Sequence, residues 1–138
     1  MNIDSIQNGV VIDHITAGSG MQLYKLLGLA DCDCSIAIIK NVSSKKMGKK
    51  DIIKIDADIP INFDVIGYVD PEATVNIIKK GKLVEKRCIS MPESLVNVIK
   101  CKNPRCITSV EQELDHIFKL TEKDNKVYRC IYCETKAK

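Results

Sequence analysis

The chain has 138 residues, room for one ordinary domain or two small ones, and its formal charge of +3 is too small to imply a nucleic-acid partner by itself. Hydrophobic residues make up 45%, yet there is no Trp and only 4 Tyr and 2 Phe, so a core must be aliphatic. The opening Met1-Asn2-Ile3-Asp4 lacks the basic and apolar segments of a secretory leader, and no window approaches about 18 uninterrupted apolar residues. A reducing, intracellular setting is the expectation, and there cysteine pairs bind metal more often than they form disulfides.

Val10 to Ile15, rich in β-branched residues, reads as a buried strand, broken by Gly18-Ser19-Gly20. A helix is predicted from Ser19 to Leu27, with Ser19 as N-cap and an apolar face of Leu23, Leu26, Leu27 and Ala30. Strands over 34–42 and 49–57 flank the polar turn 43–48 as a hairpin. Ile61, Val65, Ile66 and Val69 keep helical spacing, and Pro71 ends that helix. Strands over 73–79 and 83–89 follow, joined at Lys80-Gly81-Lys82. The order strand, helix, two strands, helix, two strands predicts a ferredoxin-like, antiparallel-rich sheet with two helices on one face.

Pro92 marks the expected boundary, giving domains 1–92 and 93–138 and an α+β chain overall. Ser94 to Lys100 is predicted as a strand leading into Cys101-x4-Cys106, with Cys130-x2-Cys133 23 residues further on. Two close thiol pairs around a loop long enough for a small sheet are the pattern of a structural zinc site. With Cys101, Cys106, Cys130 and Cys133 as ligands, no coordination position is left for water or substrate, so metal catalysis is not expected. The segment is small enough to need the ion for folding. Its expected core is Val98, Ile99, Ile107, Val110, Leu114, Ile117, Phe118, Leu120, Val127 and Ile131. Lys100, Lys102, Arg105 and Arg129 flank the cysteines, either as a solvated rim or as counter-charge. Cys32, Cys34 and Cys88 read as small buried or half-buried residues, with Cys32 and Cys34 on one strand face. His116 reads either as a residue that caps or decorates the zinc loop or, more ordinarily, as an exposed polar residue.

Catalytic signatures are absent: there is no phosphate-binding P-loop, no H-E-x-x-H, and Leu23 stands where a dinucleotide fingerprint needs glycine. What remains suits a small anion. Lys50 and Lys54, four apart on a strand, share a face, and Lys86 is a third candidate cation. Asp13 and His14 at a strand end, with Asn76, offer hydrogen bonds to a base or ribose. Each residue alone is more ordinarily a solvated or structural one.

As a set, these residues resemble the regulatory chain of aspartate carbamoyltransferase along essentially the whole chain. The resemblance rests on Val-Ile-Asp-His-Ile at 11–15, Met-Gly-Lys-Lys-Asp-Ile-Ile-Lys-Ile at 47–55, Ala-Thr-Val-Asn at 73–76, Met-Pro-Glu-Ser-Leu-Val-Asn-Val at 91–98, Cys-Ile at 106–107 and Cys-x-Tyr-Cys at 130–133. It implies a non-catalytic subunit of pyrimidine biosynthesis in the cytoplasm. It further implies one structural Zn2+ per chain and the nucleotide effectors CTP, UTP and ATP. Nucleotide contacts carried over by motif are Asp13, His14, Lys50, Lys54, Asn76 and Lys86, with Ile6 and Val11 lining the base pocket. Implied partners are the catalytic chain, gripped by the zinc domain, and a second regulatory chain, paired through the nucleotide domain. Neither nucleic acid nor membrane is expected. The stretch 58–71 is short for the family's second helix, and the turn 79–82 lacks an aromatic found in some members. The rival readings are a zinc-ribbon nucleic-acid-binding protein, which would need a basic stripe with interleaved aromatics, and an enzyme built around Asp13-His14.

Overall fold

The computed structural model of the chain describes residues 6–45 and 48–137. The opening Met1 to Asp4 and the Lys46-Met47 tip of the predicted hairpin turn lie outside the described residues. The chain divides into two compact units, Met1–Ser90 and Met91–Lys138.

The first unit runs β1 (Gly9–Thr16), α1 (Gly20–Leu26), a 3-10 turn (Leu29–Asp31), β2 (Ser35–Ser44), β3 (Gly48–Asp56), α2 (Phe63–Val69), β4 (Thr74–Lys79) and β5 (Lys82–Cys88). The strands form one antiparallel sheet in the order β2-β3-β1-β4-β5. This is the predicted ferredoxin-like arrangement, with β1 seated between β3 and β4 and β5 added at one edge. Alternation along the strands sets two faces. Val10, Ile12, Ile53, Ile55 and Val75 are buried, and Leu23 of α1 and Val65 and Ile66 of α2 complete the aliphatic core. The helices touch each other, and α1 also lies against β3.

Two buried carboxylates organise the end of β1. Asp51, with no exposure, accepts the backbone N–H groups of Gly18 (3.1 Å), Gly20 (3.0 Å) and Asn41 (3.0 Å). It thereby ties the turn before α1 to a bulge in β2, where Asn41 takes φ 56°. Gly20 leaves room for this: a Cβ there would lie 2.9 Å from Asp51 Oδ2. Asp70 accepts the N–H of Thr16 and, at 3.0 Å, that of Glu72.

Several local expectations are corrected here. Ser19 occupies the N-cap position, but its backbone is already helical, at φ −95° and ψ −8°, and its side chain makes no capping bond; Asp51 accepts the Gly20 N–H instead. α1 ends at Leu26, within one residue of the predicted end, and Gly28 at φ 69° turns the chain there, so Leu29 enters the core and Ala30, expected on the helix's apolar face, is exposed. Cys32 and Cys34 precede β2 rather than lying in a strand, and Cys88 is exposed at the end of the edge strand. Asn62, whose side chain accepts the N–H of Asp64, caps α2 and starts it at Phe63.

The second unit contains β6 (Ser94–Val96), a single helical turn α3 (Ile107–Val110), β7 (Ile117–Glu122) and β8 (Val127–Cys130). They form a three-stranded antiparallel sheet, β6-β7-β8. The predicted strand over 94–100 stops at Val96, where Asn97 turns to φ 58°. The core also differs from expectation. Leu95, Phe118 and Tyr128 are buried with Cys101, Cys106 and Cys130, whereas Ile107, Val110 and Ile131 are exposed. A sheet this small hides little apolar surface, so sulfur takes the place of a larger aliphatic core.

Replacing Asp51 by Ala leaves three backbone donors without their acceptor, that of Gly20 in a buried position and those of Gly18 and Asn41 on exposed residues that water can reach. The expected loss is about 1–3 kcal/mol, the cost of one buried unpaired donor. Urea unfolding followed by the sheet signal measures it, with the midpoint falling and the slope preserved.

Candidate metal centre and polar sheet face

The chain delivers its four C-terminal cysteines from two tight loops. The first, Cys101 to Cys106, is shaped by Asn103, whose side-chain oxygen accepts the Arg105 N–H at 3.0 Å and whose carbonyl accepts the Ser109 hydroxyl at 2.8 Å. The second follows β8, where Glu134 at φ 63° returns its N–H to the Cys130 carbonyl at 2.9 Å. The sulfurs of Cys101, Cys106, Cys130 and Cys133 all lie within 4.8 Å of one another. Cys101 and Cys133 stand 3.5 Å apart, and Cys106 and Cys130 3.7 Å. These separations are far beyond a disulfide bond of about 2.0 Å. They are close to the roughly 3.8 Å between sulfurs placed tetrahedrally at about 2.3 Å from one ion.

The immediate surroundings stabilise negative sulfur. The Thr108 hydroxyl donates to Cys106 Sγ at 3.1 Å, and Thr135 Oγ1 lies 3.2 Å from Cys133 Sγ. Backbone groups of Asn103, Thr108, Tyr132 and Thr135 also bond to the cluster sulfurs. The Thr135 bond outweighs burial and pulls the Cys133 thiol down to about 6, and that from Thr108 lowers Cys106. Burial instead pushes Cys101 up to about 12 and raises Cys130. Four thiolates so close require a cation between them, and a closed set of sulfur donors is the chemistry of a structural metal site. Among the described residues, no other group of His, Cys, Asp or Glu converges in this way. Sequence reasoning found all four cysteines but passed over their hydroxyl partners. The signal was there, because Cys106-x-Thr108 and Cys133-x-Thr135 repeat one spacing.

The second site is the sheet face turned away from the buried rows. Registers across four strands align Lys54 with Val11, Val11 with Asn76, and Asn76 with Lys86. Directly opposed residues in a sheet point to the same side, so these four make one continuous row. The next row pairs Asp13 with Thr74. Lys50 Nζ reaches Asp13 Oδ1 at 2.9 Å, and the His14 N–H donates to the same carboxyl oxygen at 2.6 Å. His14 sits in a bulge at φ 57°, and its Nδ1 lies 3.1 Å from Thr74 Oγ1. Burial pushes the Asp13 carboxyl up, but the hydrogen bonds from Lys50 and His14 and their charges outweigh it, leaving Asp13 below the usual 3.8. Asn76 Oδ1 is buried and without a hydrogen-bond partner. Ile6 is buried and packs over Gly9, two residues before Val11 on β1. The eight predicted residues thus fall on or beside one sheet face, and Thr74, which the sequence reading did not single out, holds the His14 ring.

Two family models match the chain. The one described as "Aspartate carbamoyltransferase regulatory chain, allosteric domain" covers residues 1–90, and "Aspartate carbamoyltransferase regulatory chain, metal binding domain" covers residues 93–138. The chain belongs to the family of aspartate carbamoyltransferase regulatory chains. Relatives bearing that name include one from Clostridium botulinum, 47% identical over 97% of this chain and 92% of its own. One from Clostridium tetani is 47% identical over 97% and 94%, and one from Bifidobacterium longum 43% over 100% and 99%. As a regulatory chain it is not itself the catalyst, and the four-cysteine cluster lies within the match to the metal-binding domain. Among the described residues no helix is long and apolar enough to cross a membrane.

The Asp13–Lys50 pair has a defined pH signature. Its folded carboxyl titrates below 3.8, so the pair contributes stability above pH 3.8 and loses it as pH falls through the folded value. Carbon-detected NMR titration is expected to place the Asp13 midpoint below 3.8. In Lys50→Ala the burial cost stands with less opposition, and the midpoint moves up.

Proposed function

We propose that this chain is the nucleotide-sensing, non-catalytic subunit of an aspartate carbamoyltransferase. In this reading residues 1–92 form a nucleotide-binding allosteric domain, and residues 93–138 form a zinc domain that docks on the catalytic chain. One Zn2+ is held by Cys101, Cys106, Cys130 and Cys133 and is purely structural, since thiolates fill every position. CTP, UTP and ATP bind the polar sheet face. The subunit works in the cytoplasm, where those nucleotides are found, and pairs with a second copy through its nucleotide domain.

The observation that carries the reading is the cross-strand row Lys54–Val11–Asn76–Lys86, with the Asp13–Lys50 pair beside it. Two ammonium groups stand at the two ends of the row, with an apolar residue and an amide between them. Lysines reaching in from both sides of an apolar residue and an amide suit a ligand with a polyanionic tail and a flat, hydrogen-bonding head: a nucleoside triphosphate. Lys54 and Lys86 face phosphates, Lys50 the sugar-phosphate, Asp13 with backbone groups reads the base, and His14 offers a hydrogen bond to base or ribose. Val11 and Ile6 offer apolar surface to the base ring. The unpartnered Asn76 Oδ1 supplies a buried acceptor for a ribose hydroxyl or an exocyclic amine.

Docking is supported by the other unit. Ile107, Val110, Ile131 and Tyr132 are exposed apolar residues within four positions of a cluster cysteine, so a metal that fixes the loops also fixes this surface. Regulation then follows from linkage. A nucleotide that binds two quaternary states unequally shifts their balance by its differential affinity, typically about 1–3 kcal/mol.

Two experiments test this. Lys54→Ala is expected to weaken CTP binding roughly tenfold or more, from a lost charge-assisted contact of about 1.5–3 kcal/mol, while co-sedimentation with the catalytic trimer persists. Unchanged CTP titration in this variant would refute the assigned face. Chelating the zinc is expected to abolish association with the catalytic chain before it abolishes nucleotide binding. Simultaneous loss of both would contradict the division of labour.

A further inference from the structure

We propose that His116 is a positioning residue of the metal centre, acting through the backbone of the ligand Cys101. The inference rests on the reading of the four cysteines as a zinc site and goes beyond their identity.

The geometry that carries it is a clamp at the start of β7. The N–H of Cys101 donates to His116 Nδ1 at 3.2 Å. A backbone N–H can only donate, so Nδ1 is the acceptor and the neutral ring carries its proton on Nε2. The ring is held by its own backbone. The N–H of Asn97 donates to the His116 carbonyl at 2.7 Å, and the N–H of His116 donates to Asn97 Oδ1 at 2.9 Å. Asn97 Nδ2 bonds Asp115 Oδ1 at 3.0 Å, and its left-handed conformation at φ 58° gives the chain the turn this reciprocal pair needs. One residue on, the Ile117 carbonyl accepts the N–H of Ile131 at 3.1 Å, inside the second cysteine loop. Two consecutive residues, His116 just before β7 and Ile117 at its start, therefore grip both cysteine loops, one by a side chain and one by a carbonyl.

The role of His116 follows from what else holds Cys101. Cys106 and Cys133 each have a threonine hydroxyl near sulfur, and Cys130 ends β8 within the sheet. Cys101 lies outside every strand and helix, five residues beyond the end of β6 at Val96. Its backbone is fixed from β7 by the imidazole. Groups outside the ligand set typically matter at about the 10–100-fold level in metal affinity.

The test uses the full-length chain and reads metal retention rather than activity. Zinc transfer to a colorimetric chelator is timed for the native chain, His116→Ala, His116→Asn and His116→Gln, and Co2+ uptake is followed by its thiolate-to-cobalt absorption. Asn presents an acceptor oxygen where Nδ1 stands, whereas Gln fills similar space but carries its acceptor one atom further out. Expected is release about 10–100-fold faster in His116→Ala and His116→Gln, with His116→Asn near the native rate. If the Ala variant does not fold, the Asn and Gln pair decides alone. Equal rates in Asn and Gln, or a native rate in Ala or Gln, would overturn the proposal. A native chain that takes up Co2+ without tetrahedral thiolate absorption would defeat the zinc reading itself, an outcome separate from any difference among the variants.

Discussion

Charge confined to a small volume is the constraint on which the C-terminal unit depends. Four sulfurs within 4.8 Å, three of them buried, sit where a larger domain would place aliphatic side chains. Their ionised forms repel one another, so bound metal and folded backbone stabilise each other. Burial already resists ionisation at Cys101 and Cys130, while hydroxyl groups favour it at Cys106 and Cys133. The hydrocarbon contribution is correspondingly small: Leu95 stacks on Phe118 across the β6–β7 pair, and Tyr128 closes the other side by donating its hydroxyl to the Pro92 carbonyl. The β-strands of this unit are short because the loops between them do the anchoring.

Much of this was legible from residue types alone. Thiol pairs at short spacing announce convergence, and the alternation in Ile53-Lys54-Ile55 matches the buried, half-buried, buried pattern there in β3. The strand–helix order sufficed for the sheet topology. What was not legible depended on partners distant in sequence. Nothing local to Asp51 says that it will accept donors from residues 18, 20 and 41. The bulges at His14 and Asn41 are likewise set by what lies across the sheet. The outward turn of Ile107, Val110 and Ile131 was missed because a count of apolar residues assumes they all bury. His116 could be placed beside the zinc loop from sequence but its partner could not, since that partner is a backbone group fifteen residues away.

The polar face and the helix layer are not independent in this sheet. Asp13 and His14 belong to the polar face, yet the bulge they occupy lies just before the turn that Asp51 and Asp70 hold. A ligand that straightens or deepens that bulge changes the hydrogen bonding at the start of α1. Coupling of this kind needs no long pathway, only a backbone segment whose two arrangements differ in energy by an amount a ligand can supply.

The neighbours Lys50 and Asp51 carry one further consequence. The lysine points to the polar side of β3 and the aspartate to the helix side. Slippage of this strand by a single residue during folding would drive an ammonium into hydrocarbon and strand a carboxylate in water, away from its three donors. Adjacent opposite charges thus act as a molecular proofreader, making the slipped hairpin costly at two neighbouring positions.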